Sequence, residues 1–364
     1  MKVGIMSMQR VPNLGSFMQA YGLKKTIEEL GNEVEFIDFP KGENPGQLEY
    51  GSDKKEINFI KEKIIKVRYI KNIKAYKKKH FTYYNHEFQN YLKEYLELTD
   101  KENYGECDTL VVGSDEVFNC LNSEYGFTTE PFGDYKNAKK IITYAASCGW
   151  TKYEYLNDTQ KVRLEKATKK LSAISVRDEN TKNFIKKITK KEPVLNLDPV
   201  LISDYNDFFE KMESPIISEK YILVYAYYNR ISDYKTIKAI KKFAKKEQCK
   251  LIAVGSPQFW CDDYVTINPK HILDLFSKAN YVITDTFHGT IFSIKSKSQF
   301  ITLIRKSNNN KLLHLLKKLN LESQIVNECN ELEEKLKKII DYKRVDTKLI
   351  EEKKKTIEYL KNSL

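Results

Sequence analysis

Along this chain, short runs of apolar and β-branched residues repeatedly end in small polar or charged ones. The runs are 3–7 (VGIMS), 34–39 (VEFIDF), 108–119 (DTLVVGSDEVFN), 142–149 (ITYAASCG), 174–181 (ISVRDENT), 222–227 (ILVYAY), 251–255 (LIAVG), 281–286 (YVITDT) and 300–305 (FITLIR). Each has the make-up of a buried strand, and helical spacing returns between most of them. Such alternation predicts parallel sheets with right-handed crossovers. The first unit is the clearest: a strand at 3–7, a loop from Met8 to Leu14, Gly15 at a tight entry, and a helix over 16–30 that stops at Gly31. A final helix is predicted near 346–361, with Ile350, Ile357 and Leu360 on one side. No solenoid or propeller period is present.

The pattern weakens over 202–219 (SDYNDFFEKMESPIISEK), which reads as a linker, and at 364 residues the chain is too long for one growing core. The predicted fold class is therefore α/β, with two doubly wound Rossmann-like domains facing a cleft in a GT-B-like arrangement. The domains span 1–205, with a basic helical insertion over 54–98, and 220–345, followed by a C-terminal helix over 346–364.

Charge changes this picture in one place. Residues 54–80 hold eleven Lys or Arg against Glu56 and Glu62, and Ile57, Ile60, Ile64 and Val67 recur at helical steps. A basic amphipathic helix suits an anionic membrane surface, or it is simply a solvated face over the domain. No nucleic-acid motif or stacking surface accompanies it, so nucleic acid is not expected as a partner. The six cysteines form no CxxC pair and no zinc spacing, and read as reduced cytosolic thiols. Cys148 stands at a strand end, as a nucleophile would, but no histidine is close to it in sequence. A cytoplasmic protein, peripheral at the inner membrane face if the basic segment binds lipid, is the expectation. No resident cofactor or metal is expected, and oligomeric state is not legible.

The stretch 281–294, YVITDTFHGTIFSI, carries the sharpest chemistry. A strand ends there, Asp285 or Thr286 can cap the helix that follows, and the first amides of that helix offer free donors beside His288, Gly289 and Thr290. A lone histidine at such a place caps or packs more often than it reacts. The runs ending near Asp115, Cys148 and Arg177 strengthen the reactive reading, because ligands of open α/β sheets collect at the carboxyl ends of strands.

Taken in order, NLGSFMQAYGL (13–23), GSDEVFN (113–119), YAASCG (144–149), ISVRDENT (174–181), LDPVL (197–201) and TDTFHGTIFSI (284–294) resemble the polysaccharide pyruvyl transferase family, from about Val3 to Val326. Leu14, Glu116, Phe118 and Thr286 stand where that family usually has an aromatic residue, glutamine, tryptophan and serine, and Lys311 falls near its usual arginine. The resemblance implies transfer of a pyruvyl group from phosphoenolpyruvate to two hydroxyls of a saccharide in bacterial cell-surface polysaccharide synthesis, with release of phosphate. Two anions on one small donor need two cationic or N–H-rich anchors. On that reading Arg177, His288, Gly289, Thr290 and Lys311 bind the donor, and Asn13, Gly15 and Ser114 shape the acceptor side. His288 supplies a proton, and Asp115 or Asp285 accepts one. The acceptor is lipid-linked, polymeric or nucleotide-activated. Two other readings stay open: a GT-B glycosyltransferase with a nucleotide-sugar donor, and a non-catalytic glycan-binding protein.

Overall fold

The computed structural model describes residues 1–46, 69–205, 208–209, 217–228, 230–304 and 309–364. The first sheet comprises β1 (Lys2–Met6), β2 (Glu33–Phe36), β3 (Cys107–Asp115), β4 (Ala138–Ala146), β5 (Leu171–Ala173), β6 (Ser175–Val176) and β7 (Val194–Leu195), in the order β2-β1-β3-β4-β6-β7 with β5 also on β4. The second comprises β8 (Tyr221–Ala226), β9 (Lys250–Gly255), β10 (Asp263–Val265), β11 (Tyr281–Thr284), β12 (Phe300–Leu303) and β13 (Ile325–Val326), in the order β10-β9-β8-β11-β12-β13. The neighbouring strands run parallel. Winding reverses once in each sheet, between β1 and β3 and between β8 and β11, and a crevice opens at such points outside the carboxyl ends. These are the two doubly wound domains of a GT-B-like fold.

Several predicted strands continue past the point where the chain leaves its ladder. β2 stops at Phe36, β11 at Thr284 and β12 at Leu303. The polar tails that looked like strand ends are loops at the sheet edge, the positions from which a crevice is lined. Helix α1 (Leu14–Glu28) starts earlier than its apolar spacing suggests, because Asn13 Oδ1 accepts from the amides of Gly15 and Ser16 at 2.7 and 3.3 Å.

One apolar cluster runs through both domains. It joins Leu14, Phe17 and Tyr21 of α1 to Tyr205 and Phe208 of the predicted linker, and to Tyr225, Phe287 and Phe292 of the second domain. The part of the linker that is described is thus packed rather than solvated.

The basic insertion lies differently from expectation. Its apolar stripe, Ile57 to Val67, is outside the described residues, but the helix Ile70–Thr82 rests on the second domain. Asn72 donates to the Phe259 carbonyl at 3.1 Å, Tyr76 to that of Asp262 at 3.0 Å and Lys79 to that of Tyr264 at 2.7 Å. The next helix, Phe88–Leu96, returns to α1, where Phe88 meets Phe17 with ring centroids 6.0 Å apart. The insertion is therefore a strap between domains.

The last helix, Tyr342–Ser363, also crosses back, and Tyr359 donates to the Thr143 carbonyl of β4 at 2.8 Å. Its buried face carries Val345, Glu352, Thr356 and Leu360, whereas Ile350 is 70% exposed. The expected Ile350 stripe is corrected, because the helix meets polar partners such as Lys318, which pairs with Glu352 at 2.6 Å. Among the described residues no helix is long and apolar enough to cross a membrane.

Candidate functional site

At the end of β6 the chain leaves the sheet at Arg177, and Asp178 caps the helix Glu179–Thr189 by accepting the Thr181 amide at 2.9 Å. Arg177 is 3% exposed. Its Nη1 donates to Asp198 Oδ2 at 2.8 Å, its Nη2 reaches Asp115 Oδ1 at 3.4 Å, and its plane lies 4.2 Å from the Phe287 ring centre. Burial opposes the charge, but Asp115 and Asp198 outweigh it and raise the guanidinium pKa. Asp198 itself is held by capping the short helix Pro199–Ile202, where it accepts from the Val200 amide at 3.0 Å. Burial pushes the Asp198 carboxyl up, yet nearby His288 and Arg177 pull it below its ordinary value.

From the other domain, Thr286 caps the helix Phe287–Lys295 by accepting the Gly289 amide at 2.9 Å. Of the two capping candidates it is Thr286, not Asp285, that fills this role. His288, on the first turn, presents Nε2 3.5 Å from Asp198 Oδ2, beyond a good hydrogen bond. Its ring lies on the amino-terminal turn of α1, since a Cβ at Gly15 would stand 2.3 Å from His288 Cγ and Nδ1. Among the described residues, His288 Nε2 and Arg177 Nε are buried nitrogens without a hydrogen-bond partner in the protein. Two orphaned nitrogens from two domains flank one carboxylate, a place where a buried polar group needs an explanation.

Asp115 has φ of 71°, in the left-handed region that aspartate tolerates better than most residues. Its Oδ2 accepts from Ser16 Oγ at 2.9 Å, which ties β3 to α1. Glu116 follows and pairs across the cleft with Lys311 at 2.7 Å, while Asn119 donates to its other oxygen at 2.8 Å. Burial raises the Glu116 carboxyl, but Lys311, Asn119 and Arg177 bring it down to about 2. Lys311 Nζ also lies 5.7 Å from the Phe287 ring centre, so the Phe287 ring has two cations within reach.

The structure therefore brings together Arg177, His288, Asp115, Lys311, Asn13 and Gly15. Other expected residues face inward. Ser114 is fully buried and donates to Gln19 Oε1 at 2.8 Å, in a network that pins α1 to the ends of β1 and β3. It is corrected from acceptor contact to scaffold. The Gly289 amide is consumed by the cap, and the fully buried Thr290 hydroxyl donates to the Thr286 carbonyl and meets Thr302 Oγ1 at 2.9 Å. Both shape the turn instead of offering donors to an anion. Asp285 is fully buried, more enclosed than Asp115 at 8% exposure. Cys148 is fully buried, its thiol donates to the Thr151 carbonyl at 3.3 Å, and burial pushes its pKa up, which removes it as a nucleophile.

Asp198, Glu116 and Phe287 were given no site role from sequence, although Glu116 stood out as a departure from the family's usual glutamine. Asp198 did have a signal: an aspartate directly before a proline that opens a helix. Beside this cluster, a cavity of about 350 Å³ opens at the carboxyl ends of β1 and β2, lined by Met8, Pro12, Phe39, Glu124 and Tyr125. A larger one, about 550 Å³, is lined by Tyr104, Tyr135, Lys136 and Arg163 at the amino-terminal ends of β3 and β4, away from the cluster. The smaller one matters here because it adjoins the loop into Asn13. Among the described residues no group of three or more His, Cys, Asp or Glu is placed to hold a metal ion.

A GT-B-like fold with its polar cluster at the facing carboxyl ends is a two-domain α/β architecture that places a ligand crevice between the sheets. Residues 13–307 match the family described as polysaccharide pyruvyl transferase, and the chain belongs to that family. A search of curated proteins found no match. Similar solved structures include the S. aureus MnaA–UDP co-structure (11% identity, TM-score 0.49, covering 100% of this chain and 97% of that one). UDP-GlcNAc 2-epimerase from Neisseria meningitidis bound to UDP-GlcNAc is similar too (11%, 0.47, all of both chains), as is the glycotransferase of kitacinnamycin (9%, 0.48, 100% of this chain and 99% of that one). At that distance these likenesses say nothing of chemistry here.

Proposed function

We propose that this transferase moves the pyruvyl unit of phosphoenolpyruvate onto two hydroxyls of a saccharide, forming a cyclic ketal and releasing phosphate, in the building of bacterial cell-surface polysaccharide. Beyond family membership, the observation that supports this is the pair of orphaned buried nitrogens, Arg177 Nε and His288 Nε2, beside Asp198. A small anion entering there would satisfy Arg177 Nε without breaking the existing guanidinium bonds. His288 delivers a proton to the methylene carbon, which becomes the methyl group; the first hydroxyl attacks the resulting electrophilic carbon, and the second hydroxyl then takes the place of phosphate as the bond between carbon and the phosphate oxygen breaks. Asp115, held by Ser16 and Arg177 and less enclosed than Asp285, takes a hydroxyl proton. Of the two hydroxyl protons, one thus offsets that placed on carbon and the other leaves with phosphate. Asn13, Gly15 and the cavity beside them receive the saccharide. Phosphoenolpyruvate is a co-substrate, and no further cofactor is invoked.

The test is incubation with phosphoenolpyruvate and a set of bacterial saccharides, following phosphate release and ketal formation, alongside a thermal-shift panel against nucleotide sugars. A ligand at about a hundred times its dissociation constant should stabilise the fold by roughly 2.7 kcal/mol. Stabilisation by a nucleotide sugar and none by phosphoenolpyruvate would replace this reading with glycosyl transfer. Saccharide binding without turnover of either donor would leave a glycan-binding protein.

A further inference from the structure

The two cations of the cleft are already answered by the protein's own carboxylates. Arg177 is held by Asp198 and Asp115, and Lys311 by Glu116. These two pairings differ in how readily they exchange. The Arg177 side chain is 2% exposed and grips two carboxylates of its own domain, so freeing it strands buried charge. The Lys311 and Glu116 side chains are 16% and 28% exposed, more than that of Arg177, and are joined by one contact between domains. Asn119 donates to Glu116 Oε2, so Glu116 has a partner besides Lys311. Lys311 is therefore the cation that an incoming anion can recruit, because its present partner has a second bond.

We infer that Glu116 is an internal competitor for the donor's phosphate: it occupies Lys311 in the empty cleft, sets the donor affinity by doing so, and is displaced from Lys311 when phosphate binds. The inference rests on the phosphoenolpyruvate reading above. Glu116 then has a free Oε1 facing the cleft beside Asp115, and release of the contact between domains accompanies donor entry. In this role Glu116 is a specificity residue. It favours ligands whose phosphate carries enough charge to outbid a carboxylate, and disfavours anions of single charge.

Calorimetric titration of phosphoenolpyruvate into wild type, Glu116→Gln, Lys311→Gln and the double variant tests it, with thermal melts confirming that each is folded. Glutamine keeps the Asn119 bond and removes the competing charge. Glu116→Gln is expected to bind phosphoenolpyruvate roughly tenfold more tightly than wild type, a factor worth about 1.4 kcal/mol. The gain should vanish in the Lys311→Gln background, and wild type should discriminate phosphoenolpyruvate from pyruvate more strongly than Glu116→Gln does. Equal or weaker binding by Glu116→Gln, with wild type binding measurably, overturns this inference alone. Absence of binding by all four proteins overturns the donor reading and this inference with it.

Discussion

The two crevices that face one another are built by the same rule and hold opposite chemistry. At the first, between β1 and β3, the end of β3 supplies carboxylates, Asp115 and Glu116, and the ends of β6 and β7, further along the sheet, supply Arg177 and Asp198. At the second, between β8 and β11, the chain supplies an imidazole, an aromatic ring and Lys311 beyond the next strand. The first is an ionic hub that leaves one guanidinium nitrogen without a hydrogen bond, and the second is an amphipathic face that leaves one imidazole nitrogen without one. Neither is complete alone. His288 finds its acidic neighbour in Asp198 of the other domain, and Phe287 covers an arginine it does not share a sheet with. Electrostatic order in this molecule is therefore a property of domain apposition, and substitutions on the two sides should fail in different ways.

The largest effect should come from the hub. Arg177→Ala strands the buried Asp198 and Asp115 carboxylates, and the expected loss is about 3–5 kcal/mol of folding stability in urea titration. A change below about 1 kcal/mol would mean that the hub is far more hydrated than its burial indicates. Arg177→Lys keeps the charge but loses the planar fork, and should weaken donor binding more than turnover.

On the amphipathic face, His288→Ala should cost less stability than Arg177→Ala, because Asp198 keeps its arginine, while turnover falls by roughly a hundredfold or more, the usual scale for a general acid or base. Turnover within about threefold of wild type, under 1 kcal/mol of barrier, would remove the imidazole from the chemistry. Gly15→Ala attacks the contact between the halves directly. Its Cβ would fall 2.3 Å from the imidazole, and the expected cost of such overpacking is about 1–3 kcal/mol, with turnover reduced because His288 is pushed off Asp198. Unchanged kinetics would show that the domains part easily.

Acid should discriminate more gently. Glu116 has its carboxyl lowered from 4.5 to about 2, so its pairing contributes fully above about pH 4.5 and is lost as pH falls toward 2. Wild type should lose its stability advantage over Glu116→Gln across that window, and parallel acid curves for the two would break the assignment.

The smallest effect concerns the strap. The helix Ile70–Thr82 turns Asn72, Tyr76 and Lys79 to the second domain and leaves Lys71, Lys74, Lys78 and Phe81 exposed. We propose that this outer face meets an anionic membrane carrying a lipid-linked acceptor, at roughly 1 kcal/mol per lysine at the surface. Lys79 is excluded from that count by its bond to the Tyr264 carbonyl. Replacing Lys71, Lys74 and Lys78 with glutamine should weaken co-sedimentation with phosphatidylglycerol vesicles at low salt. Equal sedimentation of variant and wild type would leave this face merely solvated.

The alternation of buried runs and helical segments determined the two parallel sheets, because strands covered on both faces must be apolar throughout and helices must not be. It likewise placed Arg177 and His288 at strand ends, since those ends are where apolar runs stop. The capping role of Asn13 was not assigned, although the residue type and its place before a helix were in plain view. What the sequence could not carry was every relation between distant side chains. Asp198 read as part of LDPVL, and its role exists only because a short capped helix sets it between Arg177 and a histidine of the other domain. Ser114 and Thr290 looked available and are sealed, because the direction of a side chain at a sheet edge depends on which helix covers it. The strap read as a face of its own domain and spans to the other, since periodicity reports that a helix has an apolar side but not which partner buries it.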